Sequence, residues 1–334
     1  MITYYATSPH GYTFERFVNG WAPELADDVR VLGYSGLDLA DPPAPGLHVL
    51  TDFERLLPPE RVLVRRLHTR LRRTPGVRVL GDPGRWLGRH ALLGRLHAEG
   101  INDFRAYTPG ELTRGAAADV RFPVFLRWAN AHDGSLGDPV PDRATLERRL
   151  AWIAHDHHRR WRWIRDQLLV VELVDARSPD GMFRKYSVAR IGEHFVPRHV
   201  EVSGNWVTKY PDVVTAEVVA AEEAFLADPP DLDLVRRVFD LAGVDFGRID
   251  WGYDTATGRP QVWEVNTNPM LAPGREPHPM RAASQRRQTA LTRDALLACV
   301  PDGAAPRRSL IGAPERWGWG VLNRGSRSWD PRRR

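Results

Sequence analysis

The chain alternates between short apolar runs, which predict strands, and longer stretches with helical spacing. Up to about residue 80, apolar runs separated by Pro and Gly predict a small α/β lobe; the runs are residues 29–34, 48–50, 61–64 and 77–80. Residues 86–99 carry apolar side chains on one helical face, and Gly100 is expected to end that helix.

The middle of the chain continues with both element types. Predicted strands lie at residues 122–127, 168–174, 184–191 and 194–199, and predicted helices at 146–168, 213–226, 234–242 and 282–299. Residues 101–107 are expected to be extended. The turn at Gly192 and Glu193 predicts that the two strands beside it form a hairpin.

A second predicted hairpin, nearer the end of the chain, brings two carboxylates together. Residues 248–254 predict a strand, and residues 255–259 predict its turn. A hairpin centred on Thr257 pairs Asp250 with Glu264, with their Cβ atoms roughly 5 Å apart. Two carboxylates that close repel each other unless a cation lies between them.

Asn266 completes a set of three oxygen donors. It follows Glu264 by two residues, a spacing that points both side chains to one face of a strand. Carboxylate and amide oxygens, with no Cys or His among them, suit a hard ion such as Mg²⁺. Asp250, Glu264 and Asn266 therefore predict a magnesium site; the alternative is a polar hairpin that ends at Asn268-Pro269.

Composition changes this picture little. The 334 residues carry a formal charge of +5, from 47 basic and 42 acidic residues, so nucleic acid is not an expected partner. Lysine occurs only at Lys185 and Lys209, either by chance in an Arg-rich chain or because a compact ammonium suits a phosphate. No apolar run predicts a membrane span, and the single Cys299 permits no internal disulfide, so we expect a cytoplasmic protein.

The metal-site motif carries a resemblance to a known family. Asp250, Glu264 and Asn266, with the sequence EVNTNP at residues 264–269, resemble the metal-binding end of the ATP-grasp superfamily, which includes D-alanine–D-alanine ligase, glutathione synthetase and biotin carboxylase. The resemblance implies ATP and two Mg²⁺ ions, with Mn²⁺ as an alternative. Met270 follows where the ligases often have Gly, a departure that concerns the acceptor side of the site.

The resemblance covers about residues 85 to 300 and implies an α/β fold, with ATP held between two α+β lobes. It predicts an N-terminal α/β lobe at residues 1–84 and an ATP-grasp module at residues 85–300. Within the module, residues 115–167 would form a small lid subdomain and residues 168–300 the subdomain with the metal site.

Nucleotide-binding residues follow from the same resemblance. Arg127 matches a position where the family has a lysine, and Gly134 and Gly137 belong to the loop that would cover the phosphates. A plain hairpin turn is the alternative for that loop. Glu172 lies in the strand that resembles the adenine hinge, and because a buried Glu without partners is costly, it is expected to meet a ligand or an Arg. The alternative is a Glu at the edge of a strand.

Basic residues on the next two strands are the candidates for catalysis. Lys185 and Arg198 lie where related ligases contact phosphate or the substrate carboxylate, and Lys209 is expected in a mobile lid. Alternation places Arg184 and Lys185 on opposite faces, so the register decides which of them faces inward. No general base is assigned.

The tail at residues 301–334 is rich in Arg, Gly, Pro and Trp. Such a composition favours a loosely ordered segment. The alternative is a docking arm, or the arm of a homodimer, which would use the aromatic residues Trp317, Trp319 and Trp329.

The function that the resemblance implies is that of an ATP-dependent carboxylate–amine ligase. Its substrates would be a small-molecule or peptide carboxylate and an amine. The first alternative is an ATP-grasp kinase, which would phosphorylate a hydroxyl. The second is a nucleotide-binding or interaction protein without turnover, and Arg127 in place of Lys favours it while the intact Asp/Glu/Asn set opposes it.

Overall fold

A computed structural model describes residues 1–302 except 9, 36, 38, 40–41, 116–118, 133, 209–211 and 275–277. Lys209 and the tail from residue 303 therefore lie outside the described residues. The chain forms two compact units: the larger contains residues 1–103 and the described residues from 174 onward, and the smaller contains residues 104–173.

The larger unit begins with a parallel sheet of four strands in the order β2-β1-β3-β4. The strands are β1 (Ile2–Ala6), β2 (Val29–Gly33), β3 (Gly46–Leu50) and β4 (Val77–Leu80). Sequence patterning predicted three of them and missed β1. Every residue of β1 is buried, so this strand has no alternation of apolar and polar residues to reveal it.

Three helices accompany this sheet: α1 (Tyr12–Trp21), α2 (Pro58–Arg72) and α3 (Arg89–Ala98). Residues 61–64, which the pattern placed among the short apolar runs of the lobe, belong to α2. The reason is their continuation: Val64, Leu67 and Leu71 are buried at helical spacing. After α3, Gly100 adopts a positive φ of 66°, as expected for a residue that ends a helix.

The smaller unit is built on a three-stranded antiparallel sheet in the order β5-β7-β6. Its elements are β5 (Ala106–Tyr107), α4 (Pro109–Thr113), β6 (Val124–Trp128), α5 (Arg143–Asp156), α6 (Trp161–Ile164) and β7 (Leu168–Glu172). The long helix predicted for residues 146–168 is interrupted between α5 and α6. The prediction grouped β7 with residues 168–300, whereas its strand pairing is in this unit; the wider domain division remains a prediction.

The larger unit then continues with a four-stranded antiparallel sheet in the order β11-β10-β8-β9. Its strands are β8 (Phe183–Ile191), β9 (His194–Ser203), β10 (Phe246–Tyr253) and β11 (Pro260–Asn266). The associated helices are α7 (Ala216–Ala227), α8 (Leu232–Ala242) and α9 (Ala282–Ala298).

One face of this antiparallel sheet is apolar. The rings of Tyr186 on β8 and Trp251 on β10 stack with centroids 5.8 Å apart, and Phe225 of α7 packs against both. Because side chains alternate along a strand, the neighbours of these residues point to the opposite face. That opposite face carries the polar side chains of the candidate site.

None of the described helices combines the length and the apolar content that a bilayer span requires.

Candidate functional site

The hairpin of β10 and β11 forms the centre of the candidate site. Its register places Asp250 opposite Glu264 and Arg248 opposite Asn266, so the predicted pairing of the two carboxylates is confirmed. On the turn side of Asp250 the register shifts by one residue, because Trp263 is an extra residue on β11. The four opposed side chains lie on one face of the sheet.

Strand β8 adds two polar side chains to this face. The Ser187 hydroxyl donates to Asp250 Oδ1 at 2.7 Å. The Lys185 ammonium lies 2.6 Å from Glu201 Oε2 on β9 and 3.8 Å from Asp250 Oδ2. The register thus turns Lys185 toward the carboxylates, whereas Arg184 forms an ion pair with a residue four positions earlier.

Arg248 is a site residue that the sequence analysis did not single out. Its Nε and Nη2 donate to Asp250 Oδ1 and Oδ2 at 2.8 and 2.9 Å, a bidentate ion pair on one strand. Burial alone would lower the pKa of the guanidinium, but the Asp250 carboxylate outweighs it and holds that pKa above its usual value. The available signal was the spacing, since an Arg two residues before an Asp shares its strand face.

Neighbouring segments hold the other two oxygen donors. The Arg89 guanidinium on α3 forms an ion pair with the Glu264 carboxylate, and their side chains are only 5 and 14% exposed. Asn266 Oδ1 accepts a hydrogen bond from the backbone N–H of Asn268 at 2.8 Å. Helix α3 and the segment after β11 therefore orient these donors.

Strand β9 completes the polar face with His199 and Glu201. His199 lies opposite Ser187 in the β8–β9 ladder. Burial, together with the charges of Arg248 and Lys185, holds the pKa of His199 well below its ordinary value, so the imidazole is neutral. Burial raises the pKa of the Glu201 carboxyl, and the charge of Lys185 offsets part of that rise.

The donor set on this face fits a hard divalent cation. Asp250 and Asn266 are buried, Glu264 is largely buried, and all three supply oxygen. Among the described residues, no group of three or more His, Cys, Asp or Glu side chains is arranged to hold a metal ion. A metal at this hairpin would therefore be bound by two carboxylates and an amide.

The structure gives Arg198 a role different from the predicted catalytic one. Arg198 is an extra residue on β9, since Ser187 pairs with His199 while the next residue of β8 pairs with Pro197. Its buried guanidinium donates to Thr292 Oγ1 on α9 at 2.7 Å and to the Leu271 carbonyl. Burial lowers the pKa of Arg198 to about 9. Arg198 thus connects α9 to the segment that follows the β10–β11 hairpin.

The smaller unit contains three of the residues predicted to contact the nucleotide phosphates. Arg127 lies on β6 opposite Leu169, half-buried. Gly134 and Gly137 adopt positive φ values of 84° and 87°, which side chains rarely allow, and Leu136 N–H donates back to the Leu126 carbonyl of β6 at 2.7 Å. The loop therefore folds over its own strand; its contact with phosphates remains a prediction.

Glu172, predicted for the adenine hinge, is buried at the end of β7. Its carboxylate accepts hydrogen bonds from the backbone N–H groups of Arg105 and Arg121, both at 3.0 Å, and from the Tyr107 hydroxyl at 3.2 Å. The Arg121 guanidinium adds bonds of 3.1 and 2.8 Å. Glu172 was expected to meet either a ligand or an Arg, and in the structure its partner is Arg121.

Comparison with known proteins finds similarity in structure. No protein-family model matches the chain, and no curated protein matches its sequence. D-cycloserine synthetase DcsG and the VanG D-Ala:D-Ser ligase from Enterococcus faecalis each superpose with a TM-score of 0.50 at 14% identity, over 89% of this chain and 100% and 98% of theirs. A RimK domain ATP-grasp protein from Sphaerobacter thermophilus reaches 0.49 at 16% identity, over 89% of this chain and 100% of its own.

Proposed function

Because this chain has the ATP-grasp fold, as its resemblance predicted, we propose that it is an ATP- and magnesium-dependent ligase. It would activate a substrate carboxylate as an acyl phosphate for attack by an amine. The observation that carries this proposal is the register of β10 and β11, which opposes Asp250 and Glu264 with Asn266 on the same face. Two of the matched structures are named as a synthetase and a ligase, which favours ligation over other uses of the fold.

Asp250, Glu264 and Asn266 are the residues that would hold two Mg²⁺ ions. When bound, the ions supply neutralisation of phosphate charge and alignment of the γ-phosphoryl group. Arg248 donates to both oxygens of Asp250, and Arg89 pairs with Glu264, so these guanidinium groups orient the two carboxylates. A bound ion would share the carboxylates with these guanidinium groups.

Among the described residues, Lys185 is the cation best placed to contact both the carboxylates of this face and a bound phosphate. Its ammonium lies between Glu201 and Asp250, and its side chain is 11% exposed. An ammonium has three donors, so contacts with two carboxylates leave one N–H for an incoming anion. We propose that this N–H neutralises phosphate charge during transfer.

The proposed reaction has two steps. A carboxylate oxygen of the donor substrate attacks the γ-phosphorus of ATP, and ADP leaves. The amine nitrogen then attacks the carbonyl carbon of the acyl phosphate, phosphate leaves, and the amine gives up a proton as the amide forms. The protein contributes positioning and charge neutralisation rather than a covalent intermediate.

A hydroxamate trap tests this proposal. Hydroxylamine captures acyl phosphates, so incubation with ATP, Mg²⁺ and a panel of carboxylic acids should yield a hydroxamate with at least one acid. Asp250→Asn is the control and should form hydroxamate about 10²- to 10³-fold more slowly. ADP formation without hydroxamate, in the presence of a hydroxylated substrate, would identify a kinase instead. Absence of ATP consumption with every acid and amine offered would contradict the ligase proposal.

A further inference from the structure

The parallel sheet of the larger unit has a switch point between β1 and β3. From β1 the chain passes through α1 to β2 on one side, and from β3 it passes through α2 to β4 on the other. The helices cover opposite faces: α1 packs in a core with Tyr4, and α2 in another core with Tyr5. In open α/β sheets, ligands bind at the carboxyl ends of the strands at such a point.

A cluster of charged side chains occupies this switch point, centred on Asp52 just after β3. Asp52 is fully buried and has a positive φ of 63°. Its carboxylate accepts hydrogen bonds from the Thr7 backbone and hydroxyl, from His10 Nδ1 at 3.1 Å and from Arg55 Nη1. Burial would raise its pKa, but the partners His10, Arg55 and Thr7 lower that pKa to about 2.

The side chains of this cluster that reach solvent are an imidazole and a guanidinium. The side chains of His10 and Arg55 are 27 and 25% exposed, whereas Asp52 is completely covered. Among the residues that the structure describes, His10 Nε2 and Arg55 Nη2 have no hydrogen-bond partner. Asp52 therefore works as a buried anchor that holds an imidazole and a guanidinium at fixed positions.

The segment that leaves the metal-site hairpin lies directly beside this cluster. Asn268 Nδ2 donates to the His10 carbonyl at 3.3 Å, and its backbone N–H donates to Asn266. The neighbouring Thr267 is held by Glu54, which follows Asp52 by two residues: its carboxylate accepts hydrogen bonds from the Thr267 N–H at 2.7 Å and from the Thr267 hydroxyl at 2.5 Å. These contacts join the carboxyl ends of β1 and β3 to the end of the strand that carries Glu264 and Asn266.

We propose that His10 and Arg55 form a subsite for an anionic group, a carboxylate or a phosphate, at the far end of the donor substrate. The proposal rests on the proposed function. The donor would thus carry two acidic groups, one activated by ATP and one bound here. A guanidinium presents parallel N–H donors that match a carboxylate or phosphate. The neighbouring imidazole, whose Nδ1 already donates to Asp52, adds a third donor at Nε2 when both of its nitrogens are protonated. A donor with a neutral or cationic far end would leave these donors unsatisfied.

The test uses the full chain without nucleotide and the probes succinate, glutarate and inorganic phosphate. Ring signals of His10, assigned by their loss in His10→Gln, should shift on titration with one of these anions, while the neutral amide succinamide should cause no shift. A tighter response to succinate or glutarate than to phosphate would identify a carboxylate, and the reverse order a phosphate.

Arg55→Met should weaken the response by about tenfold or more, because a charge-assisted bidentate contact is lost. Arg55→Lys keeps the charge and the ion pair with Asp52, so it should retain a weaker response. Arg66→Met makes the same change at an exposed position of α2 and should respond like wild type. No shift in wild type with any anion, or equal shifts in wild type and Arg55→Met, would overturn the proposal.

Binding of ATP with Mg²⁺, measured on the same samples, separates the two proposals. Arg55→Met should bind Mg²⁺-ATP like wild type, since Arg55 belongs to the donor subsite. An anion response in a protein that does not bind ATP would support the subsite and contradict the ligase. ATP binding without an anion response would contradict the subsite and leave the ligase standing.

Discussion

Asp250→Asn is expected to lower magnesium-dependent ATP turnover by about 10²- to 10³-fold. Asp250 lies opposite Glu264 on the polar face and contacts Arg248, Ser187 and Lys185. The amide has nearly the same shape, so it keeps an oxygen for Ser187 but loses the charge that attracts a divalent cation. ADP formation at increasing Mg²⁺ concentration is the measurement.

The variant should also need more Mg²⁺ to reach half of its residual rate, because the affinity for the metal falls with ligand charge. Asp233→Asn is the matched control, since Asp233 is exposed in the first turn of α8. It should keep the wild-type rate and the wild-type Mg²⁺ requirement. Wild-type turnover by Asp250→Asn would contradict a metal site on this hairpin.

Glu172→Ala is expected to destabilise the smaller unit by about 1–3 kcal/mol, because it leaves two backbone N–H groups and the Tyr107 hydroxyl without their acceptor. Glu172 is 3% exposed and accepts bonds from Arg105, Tyr107 and Arg121. Amide hydrogen exchange of β6 and β7 measures the effect within that unit, as the fall in the free energy of opening.

Two further variants make the result specific to the buried carboxylate. Glu172→Gln keeps the shape and one acceptor oxygen, so its loss of protection should be smaller. Glu147→Ala removes an exposed carboxylate from α5 of the same unit and should change the free energy of opening by no more than about 0.5 kcal/mol. Unchanged exchange in Glu172→Ala, together with weakened ATP binding, would instead assign this side chain to the adenine hinge.

The carboxylate pairing was predictable from sequence because a hairpin's register follows from its turn. The turn itself lies half a residue from the predicted centre, since Tyr253 pairs with Pro260. The extra residue Trp263 then restores the predicted partner of Asp250. Simple alternation along a strand does not predict a bulge. The sequence therefore predicted that Asp250 pairs with Glu264, but it predicted neither the shifted turn nor the bulge that compensates for it.

A bulge also affects Arg198, and there it gives the side chain a role different from the predicted catalytic one. Simple alternation along β9 is broken at Pro197, which lacks a backbone N–H and commonly occurs at bulges. The extra residue sends Arg198 into the contact with Thr292 on α9, almost a hundred positions later. Such a partner depends on tertiary packing, and no local pattern in the sequence identifies it.

The donor subsite was also invisible in the sequence for a physical reason. Thr7, His10, Asp52 and Arg55 become neighbours because β1 and β3 pair in parallel, and β1 was not predicted as a strand. Each residue taken alone has an ordinary explanation as a loop residue. Only the strand order places the two carboxyl ends side by side.

The central claim, a magnesium-dependent nucleotide site on the β10–β11 hairpin, is tested most directly by calorimetry of ATP binding. The titrations are made on wild type with Mg²⁺, on wild type with a chelator, and on Glu264→Gln with Mg²⁺. We expect binding by wild type that requires Mg²⁺ and is weakened at least about tenfold in Glu264→Gln. No binding by the folded wild type, or equal binding with and without Mg²⁺, would contradict the claim.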